Sequence, residues 1–599
     1  MASVDRIILC GGCPAPARPK PDETVELNLA KPSGNVALEI TDLSRKLAAE
    51  VPDILTDLVE VATYVYCADQ AVTRGGDGTL AYGRNWRRSF HFHVPVRNPS
   101  FWSSREVTRA LQDTLSFLSD DEYDFHFVLH TNPPQMQQYL KFNGGQAQGS
   151  EIDEVILFPG GLDSLGGAVE EAVVGKRKVA LVSHRSNPKI HSRQKRLVTE
   201  LASFCNANRP LHVPEWVHKK DEALEREHTQ RSRTFLYAAL ATAVAVVFNL
   251  KRIRFYENGT VSLNLPISEQ VIGARATRTT HPQVLNGFAN LLSLLVQEPF
   301  RVENPFLWIT KTEAVNLIGN HGCGNLIKDT VSCMHTRDLT IQYTHCGSCS
   351  QCISRRFATL ASRFAELDPA EMYKVDLLLG ERKLGVDLTL VESFIRNASD
   401  VRSMNDVQLI ERYGEISRVL RHVQPLSADQ VAEGIIQLYR KHADEVSRVM
   451  DCGMSANATA IREGRLPTTC AIILSLPKQY RSDISGSQAP TETAVVQSVV
   501  AAAASSLAAD PESTPQSDKR PRVARSIGSP AAVKAALAYM QERGWGYTQF
   551  ATQMDTTDRT VRNFLKTGKM RRSSFETMAA RMGLTTEQLL RGELLKKTL

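Results

Sequence analysis

No stretch of the chain is both long and apolar enough to cross a bilayer: Tyr237 to Leu250 and the Ala-rich run Val499 to Ala509 fall short of the ~20 residues a hydrocarbon core demands. Met1 to Pro21 holds Cys10, Cys13 and several prolines but lacks the basic segment, apolar block and cleavage site of a secretory leader. Cytoplasmic residence without a membrane partner is the expectation. Internal repeats are missing too, so a stack of equivalent units is not expected. Bias of overall charge is slight, at +6, and says little about partners. What is present is an ordinary globular balance, 42% hydrophobic and 23% charged, which argues against wholesale disorder or a disulfide-stapled scaffold. At 599 residues the chain exceeds one hydrophobic core, and about three to five domains follow from typical domain size.

Short β-type runs (Arg6 to Leu9, Ser89 to Val94, Phe125 to Leu129) alternate with helical patterns (Leu43 to Leu47, Ile54 to Tyr66, Val107 to Leu118), predicting an N-terminal α+β domain over 1–150. A regular succession follows: strand Glu154 to Phe158, a Gly-rich turn, a helix, strand Lys178 to Ser183, helices over Ile190 to Asn206 and Arg233 to Asn249, and strand Ile253 to Glu257. That order predicts an α/β core over 151–360, a parallel sheet covered on both faces. Residues 361–477 carry amphipathic helical spacing, suited to packing or to a homo-oligomer contact. Between 478 and 529 Ser, Thr, Ala, Pro and Gln dominate, so burial cannot offset ordering and a flexible linker is expected. Helical periodicity returns over 530–599.

Val155 to Phe158 leads into Pro159-Gly160-Gly161-Leu162-Asp163-Ser164: an apolar strand, a tight turn and the opening of a helix. Adjacent glycines let backbone amides approach a ligand, and a helix N-terminus adds unpaired donors, so the turn suits a phosphate or pyrophosphate. Asp163 offers a hard oxygen for the magnesium that accompanies a nucleotide, and Ser164 a hydroxyl for a phosphate oxygen. A Walker A loop is excluded, because its Gly-Lys-Ser/Thr ending is missing. An ordinary turn and N-cap is the plainer alternative. Arg231, Arg233, Arg278 and Lys311 are candidate cations for the phosphates, and each is equally a candidate surface charge.

Cys333 and the run Cys346-Gly-Ser-Cys349-Ser-Gln-Cys352 supply four thiolates in a short span, enough to close a tetrahedral zinc shell. With all four positions filled by protein, such a metal would be structural and pin a loop against the α/β core. Disulfides and an iron-sulfur cluster are the other uses of this spacing. The remaining cysteines read as buried free thiols.

The turn resembles the Ser-Gly-Gly-x-Asp-Ser signature of PP-loop ATP pyrophosphatases, with Pro159 in place of the first Ser, a change that removes a hydroxyl and a backbone N–H. Together with the Cys-Gly-x-Cys-x-x-Cys loop, Arg355, Pro305-Phe306 and Thr310-Lys311-Thr312-Glu313, it looks like the QueC family of 7-cyano-7-deazaguanine synthases. The gap after Cys333 is longer than in that family. Trp86, Pro95, Trp102, Glu257-Asn258-Gly259 and Thr277 to Pro282 extend the resemblance to QueC-like proteins of bacterial anti-phage systems, such as QatC and the QueC-like component of type IV CBASS. The resemblance implies a doubly wound PP-loop (HUP-like) core with a zinc-binding loop. It also implies a ligase using ATP, Mg2+ and Zn2+. Its substrate would be a deazapurine carboxylate such as 7-carboxy-7-deazaguanine, activated as an adenylate and then joined to ammonia or to an amine of a protein from the same defence system. On that basis Asp163, Ser164 and Lys311 are the expected catalytic residues. Pro159, Gly160, Gly161, Leu162, Asp163, Ser164, Arg231 and Arg233 would bind ATP, and Cys333, Cys346, Cys349 and Cys352 zinc. His281 is a candidate substrate contact or a hydrogen-bonded structural histidine. A catalytically inactive nucleotide-binding regulator and a tRNA sulfur-transfer enzyme are the competing readings.

The tail is basic: from Lys519 to Leu599, 16 Lys and Arg face 6 Asp and Glu, as expected of a module that meets polyanions or of a solvated basic surface. Tyr547 to Ala551, a turn at Asp555, an Asp558 cap and Arg559 to Lys566 resemble the helix-turn-helix of XRE-type, λ-repressor-like domains, an all-α fold. Its core would be Phe550, Ala551, Val561, Phe564, Leu565, Met578 and Leu584. Arg559, Thr560, Arg562 and Asn563 would face a DNA major groove, with Lys566, Lys569, Arg571 and Arg572 near phosphates. A helical bundle for protein contact is the alternative.

Overall fold

The computed structural model describes residues 4–14, 24–29, 34–41, 44–74, 87–141, 151–185, 188–205, 207–221, 224, 227, 231–266, 278–336, 340, 342–477, 526–527, 529–543, 547–554, 556, 560–561, 564–565 and 569–591. They form two compact units, one of residues 1–337 and 345–484, the other of 338–344 and 485–599.

The larger unit is mixed α/β, with two sheets. Strands β1 (Val4–Cys10), β2 (Thr24–Leu27), β4 (Arg88–Val96) and β5 (Glu122–Leu129) make a parallel sheet in the order β2-β1-β4-β5. The second sheet has the order β11-β10-β7-β8-β9-β3-β6. Its strands are β3 (Val36–Thr41), β6 (Leu140–Lys141), β7 (Glu154–Leu157), β8 (Val179–His184), β9 (Leu211–Lys219), β10 (Arg252–Arg254) and β11 (Arg301–Glu303). Only the β3–β9 pair is antiparallel. Strands from both sides of residue 150 thus share one sheet.

Every residue of β7 and β8 is buried, which is why both read as unbroken apolar runs. Alternate residues serve opposite faces. Val155, Leu157, Ala180 and Val182 join the core made by helices Asp53–Ala71 and Arg233–Val247, whereas Ile156, Phe158, Val179 and Leu181 pack with helices Leu162–Ala168, Pro188–Leu201 and Lys311–Asn320. Taken in chain order, β7 to β11 run 3-2-1-4-5 across the sheet, so the winding direction reverses between β7 and β10. Ligands of such sheets settle outside the carboxyl ends of the strands at that reversal, where the Pro159-Gly160-Gly161 turn lies.

Strand β9 carries Pro214, β3 alternates buried and half-buried residues over six positions, and β6 and β11 have only two and three residues. None announced itself in the sequence. Ile253 to Glu257, expected as one strand, leaves the sheet after Arg254. Trp102 is fully buried and donates to Asp57 Oδ2 at 3.1 Å, whereas Trp86 and Thr277 lie outside the described residues. Residues 386–475 form helices, dominated by Ala428–Ala456, whose apolar core also takes in Leu263, Leu265, Ile353, Phe357 and Leu377. Among the described residues no helix is long and apolar enough to cross a membrane.

In the smaller unit, helices Pro530–Glu542, Tyr547–Gln553, Arg572–Arg581 and Thr586–Arg591 accompany a ribbon of Ser526–Ile527 and Met570–Arg571. Phe550, Ala551, Val561, Phe564, Met578 and Leu584 are buried in one cluster, with Leu565 packed against it. Asp555, Asp558, Arg559, Arg562, Asn563 and Lys566 lie outside the described residues, as do 478–525. Thr560 is half-buried and Lys569 and Arg571 are exposed.

Candidate active site

Beyond β7 the backbone turns through Gly160 at φ +88°, where a side chain would be strained and a Cβ would stand 3.0 Å from Gln194 Cγ. The turn is held from two sides. Val331 N–H donates to the Gly160 carbonyl at 3.0 Å, and Gln194 Nε2 to the Pro159 carbonyl at 2.9 Å. Helix Leu162–Ala168 then begins with Gly161 as an N-cap that supplies no side-chain hydrogen bond. The turn borders a cavity of 310 Å³ whose wall includes Pro159, Gly161, Leu162, Asp163 and Ser164. Arg231, Arg233, Arg278 and Lys311 line it as well, so four cations from three separate parts of the sequence converge on one space.

Asp163 is buried. Its Oδ2 accepts from Lys311 Nζ and, at 3.2 Å, from Asn258 Nδ2, while Oδ1 has no hydrogen-bond partner. A buried carboxylate oxygen with no partner fits a hard cation, and a magnesium ion would be held there. Ser164 Oγ donates to the Gly161 carbonyl at 2.9 Å and must turn away to serve a phosphate. Lys311 is aimed by its helix: Thr310 and Glu313 form a capping box, and the Thr310 and Thr312 hydroxyls each donate to Glu445 at 2.8 Å.

Burial, then the charge of Arg74, lowers Arg231 to about 9, and burial lowers Arg278. An anion in the cavity would reverse both shifts. His184, also in the wall, is lowered to about 3 by burial and is therefore neutral, and neither ring nitrogen has a partner. Burial raises Glu257, against hydrogen bonds from Thr280 and Thr279. His281 is not in the wall. Its Nδ1 accepts from Gln283 N–H at 3.1 Å and caps helix Pro282–Val296, a structural role.

Glu257, Asn258 and Gly259 entered the sequence reading only through resemblance, and the structure gives each a task. Glu257 faces the cavity, Asn258 holds Asp163, and a Cβ on Gly259 would lie 1.9 Å from the Leu307 carbonyl. A polar Glu-Asn pair just after the run Ile253 to Tyr256 was the available signal. His184 had none, being one more residue of a buried strand.

The four sulfurs of Cys333, Cys346, Cys349 and Cys352 all lie within 4.8 Å of one another. Cys346 and Cys352 are 3.8 Å apart, about the edge of a tetrahedron of ~2.3 Å Zn–S bonds. The Cys349 N–H donates to Cys346 Sγ at 3.3 Å, and hydrogen bonds from Cys333, Cys349 and Cys352 hold the Cys346 thiol well below its ordinary value. Four converging thiols fit zinc. Arg355, on the helix that follows, is fully buried and donates to the Ile327 carbonyl at 2.9 Å and the Thr330 carbonyl at 3.3 Å. Val331, next in the chain, holds Gly160. The cysteine loop is thereby coupled to the glycine turn through Arg355.

Residues 277–362 match the family model described as queuosine biosynthesis protein QueC. The match supports QueC-family membership and suggests an ATP-utilising enzyme of the PP-loop type. It contains Arg278, Lys311 and the four cysteines, whereas the glycine turn lies outside it, joined to it by the Lys311–Asp163 contact. No curated protein matches the chain.

Proposed function

We propose that the protein is a C–N bond-forming ligase that uses ATP to activate a carboxylate, 7-carboxy-7-deazaguanine or a related deazapurine acid. The observation that carries this reading is Asp163, braced by Lys311 and Asn258 with one oxygen left over, beside a Gly-Gly turn at the reversal point of the sheet. The substrate carboxylate attacks the α-phosphorus, the α–β bridging bond breaks, and pyrophosphate departs toward the turn amides and the arginines. Ammonia or a protein amine then displaces AMP from the acyl carbon. Magnesium, held at Asp163, supplies charge compensation on the phosphates. Zinc in the cysteine loop supplies rigidity. Action in anti-phage defence and DNA binding by a helix-turn-helix in the basic tail complete the proposal, on the resemblance and the charge asymmetry described above.

Pyrophosphate release from ATP in the presence of 7-carboxy-7-deazaguanine tests the reading, with Asp163→Ala as control. Release that depends on both the acid and Asp163 supports it, and none from the wild-type protein sinks it. Pro159 favours a second reading, a nucleotide-binding DNA-associated regulator without turnover, because it presents neither hydroxyl nor N–H to the phosphates. ATP binding without pyrophosphate release is its signature.

A further inference from the structure

Asp69 sits in the last turn of helix Asp53–Ala71 and is buried at 1% exposure. Its Oδ2 accepts two hydrogen bonds from Ser232, from N–H at 3.0 Å and from Oγ at 2.9 Å. Its Oδ1 and main-chain carbonyl take Arg88, and Arg74 approaches to 3.5 Å. Asp121 in turn accepts from both arginines. Burial opposes the charge on Asp69, yet Arg88, Arg74 and the Ser232 bonds hold its carboxyl well below the usual range, so it is a fixed anion. Ser232 is the residue between Arg231 and Arg233, which both line the cavity. The same end of the N-terminal segment also meets Arg278, whose Nη1 donates to the Phe117 carbonyl at 2.9 Å and whose guanidinium lies 4.6 Å over the Phe117 ring.

We propose that Asp69 is a positioning residue for the phosphate cations: by gripping Ser232 it fixes where Arg231 and Arg233 enter the cavity. The first 150 residues therefore complete the nucleotide site. This inference rests on the ATP reading. A carboxylate hydrogen-bonded to a buried backbone amide holds a loop to within the tolerance that phosphate contacts demand.

Calorimetric titration of the full chain with magnesium pyrophosphate, and separately with adenosine, tests it. Asp69→Asn should weaken pyrophosphate about tenfold and leave adenosine unchanged, a selectivity that a general loss of structure would not produce. Ser232→Ala, which removes one hydroxyl and no charge, should weaken pyrophosphate about threefold and serves if Asp69→Asn fails to fold. Because Asp69 is argued to act through both arginines, adding Asp69→Asn to a chain that already carries Arg231→Gln and Arg233→Gln should weaken pyrophosphate little further. Unchanged pyrophosphate affinity in both variants of the grip, equal losses for adenosine, or a loss from Asp69→Asn that is undiminished when both arginines are already replaced overturns the positioning role while leaving the ATP reading in place. A wild-type protein that binds no pyrophosphate overturns both.

Discussion

Lys311 and Asp163, 148 residues apart in sequence, meet in a buried ion pair at the head of the cavity, 4% and 11% exposed as side chains. One oxygen of the acid is occupied and the other is left for a cation. The pair joins the segment that matches the QueC family model to the glycine turn that precedes it.

Breaking such a pair from one side leaves a buried charge alone. Lys311→Met should therefore destabilise the chain by about 3–5 kcal/mol, whereas Lys311→Met combined with Asp163→Leu should recover most of that loss. Neither variant should release pyrophosphate. Denaturant unfolding followed beside the release assay checks both statements, and a double variant no more stable than Lys311→Met would show that the charges are not coupled.

Much of this centre was legible in the sequence because its parts are local: a strand, two glycines and an acid in one run, and three cysteines at two-residue spacing. What brings the parts together was not. Asp163 and Lys311 touch, and Val331 reaches Gly160, only because β7 lies in the middle of the sheet and the chain returns to it from β10 and beyond. Glu445 escaped for the same reason, and Asn258 was marked only by resemblance with no hint of its partner, since a polar residue on a long amphipathic helix or on a cap has no periodicity that marks what it touches. Strand β9 was missed because Pro214 interrupts its pattern, although the strand still pairs with β8 and β3 and the Pro214 carbonyl accepts from Thr41 Oγ1 at 3.1 Å.

The cysteine loop should carry metal, and the metal should act at a distance. Cys349→Ser is expected to reduce bound zinc below one equivalent by elemental analysis and to lower the melting temperature. Through Arg355, Thr330 and Val331 it should also weaken binding of magnesium pyrophosphate. Arg355→Met should weaken pyrophosphate with zinc content retained, which separates the link from the metal. Zinc affinity should fall as pH drops, because thiolate ligands must then compete with protons.

Arg355 also governs an acid limb of stability. Burial raises the Asp368 carboxyl, but the Arg355 charge and hydrogen bonds from Arg355 and Tyr373 bring it down to about 2 from 3.8. A folded-state value below the unfolded one means stability that is present in full above about pH 4 and is lost as pH falls toward 2, amounting to about 2 kcal/mol. Asp368→Asn should flatten that part of the stability profile, measured by denaturant midpoints between pH 2 and 5, while also lowering stability at neutral pH. A profile of unchanged slope would remove Asp368 from the acid response.

The basic tail predicts a response to salt. If Lys569 and Arg571, both exposed, meet DNA phosphates, each contact releases counterions, and the logarithm of the binding constant falls linearly with the logarithm of salt concentration at about 0.9 per contact. Lys569→Ala and Arg571→Ala should each weaken binding across unrelated DNA sequences and reduce that slope by about 1. Titrations of a labelled duplex at several salt concentrations measure both quantities. A tail used for protein contact would bind the duplex weakly or not at all, and a salt slope that neither substitution changes would place the phosphate contacts elsewhere in the chain. Because the tail's apolar cluster is made from its own residues, a chain ending at residue 477 should keep its pyrophosphate release and lose only the DNA signal. Loss of both together would mean that the tail serves the catalytic centre rather than DNA.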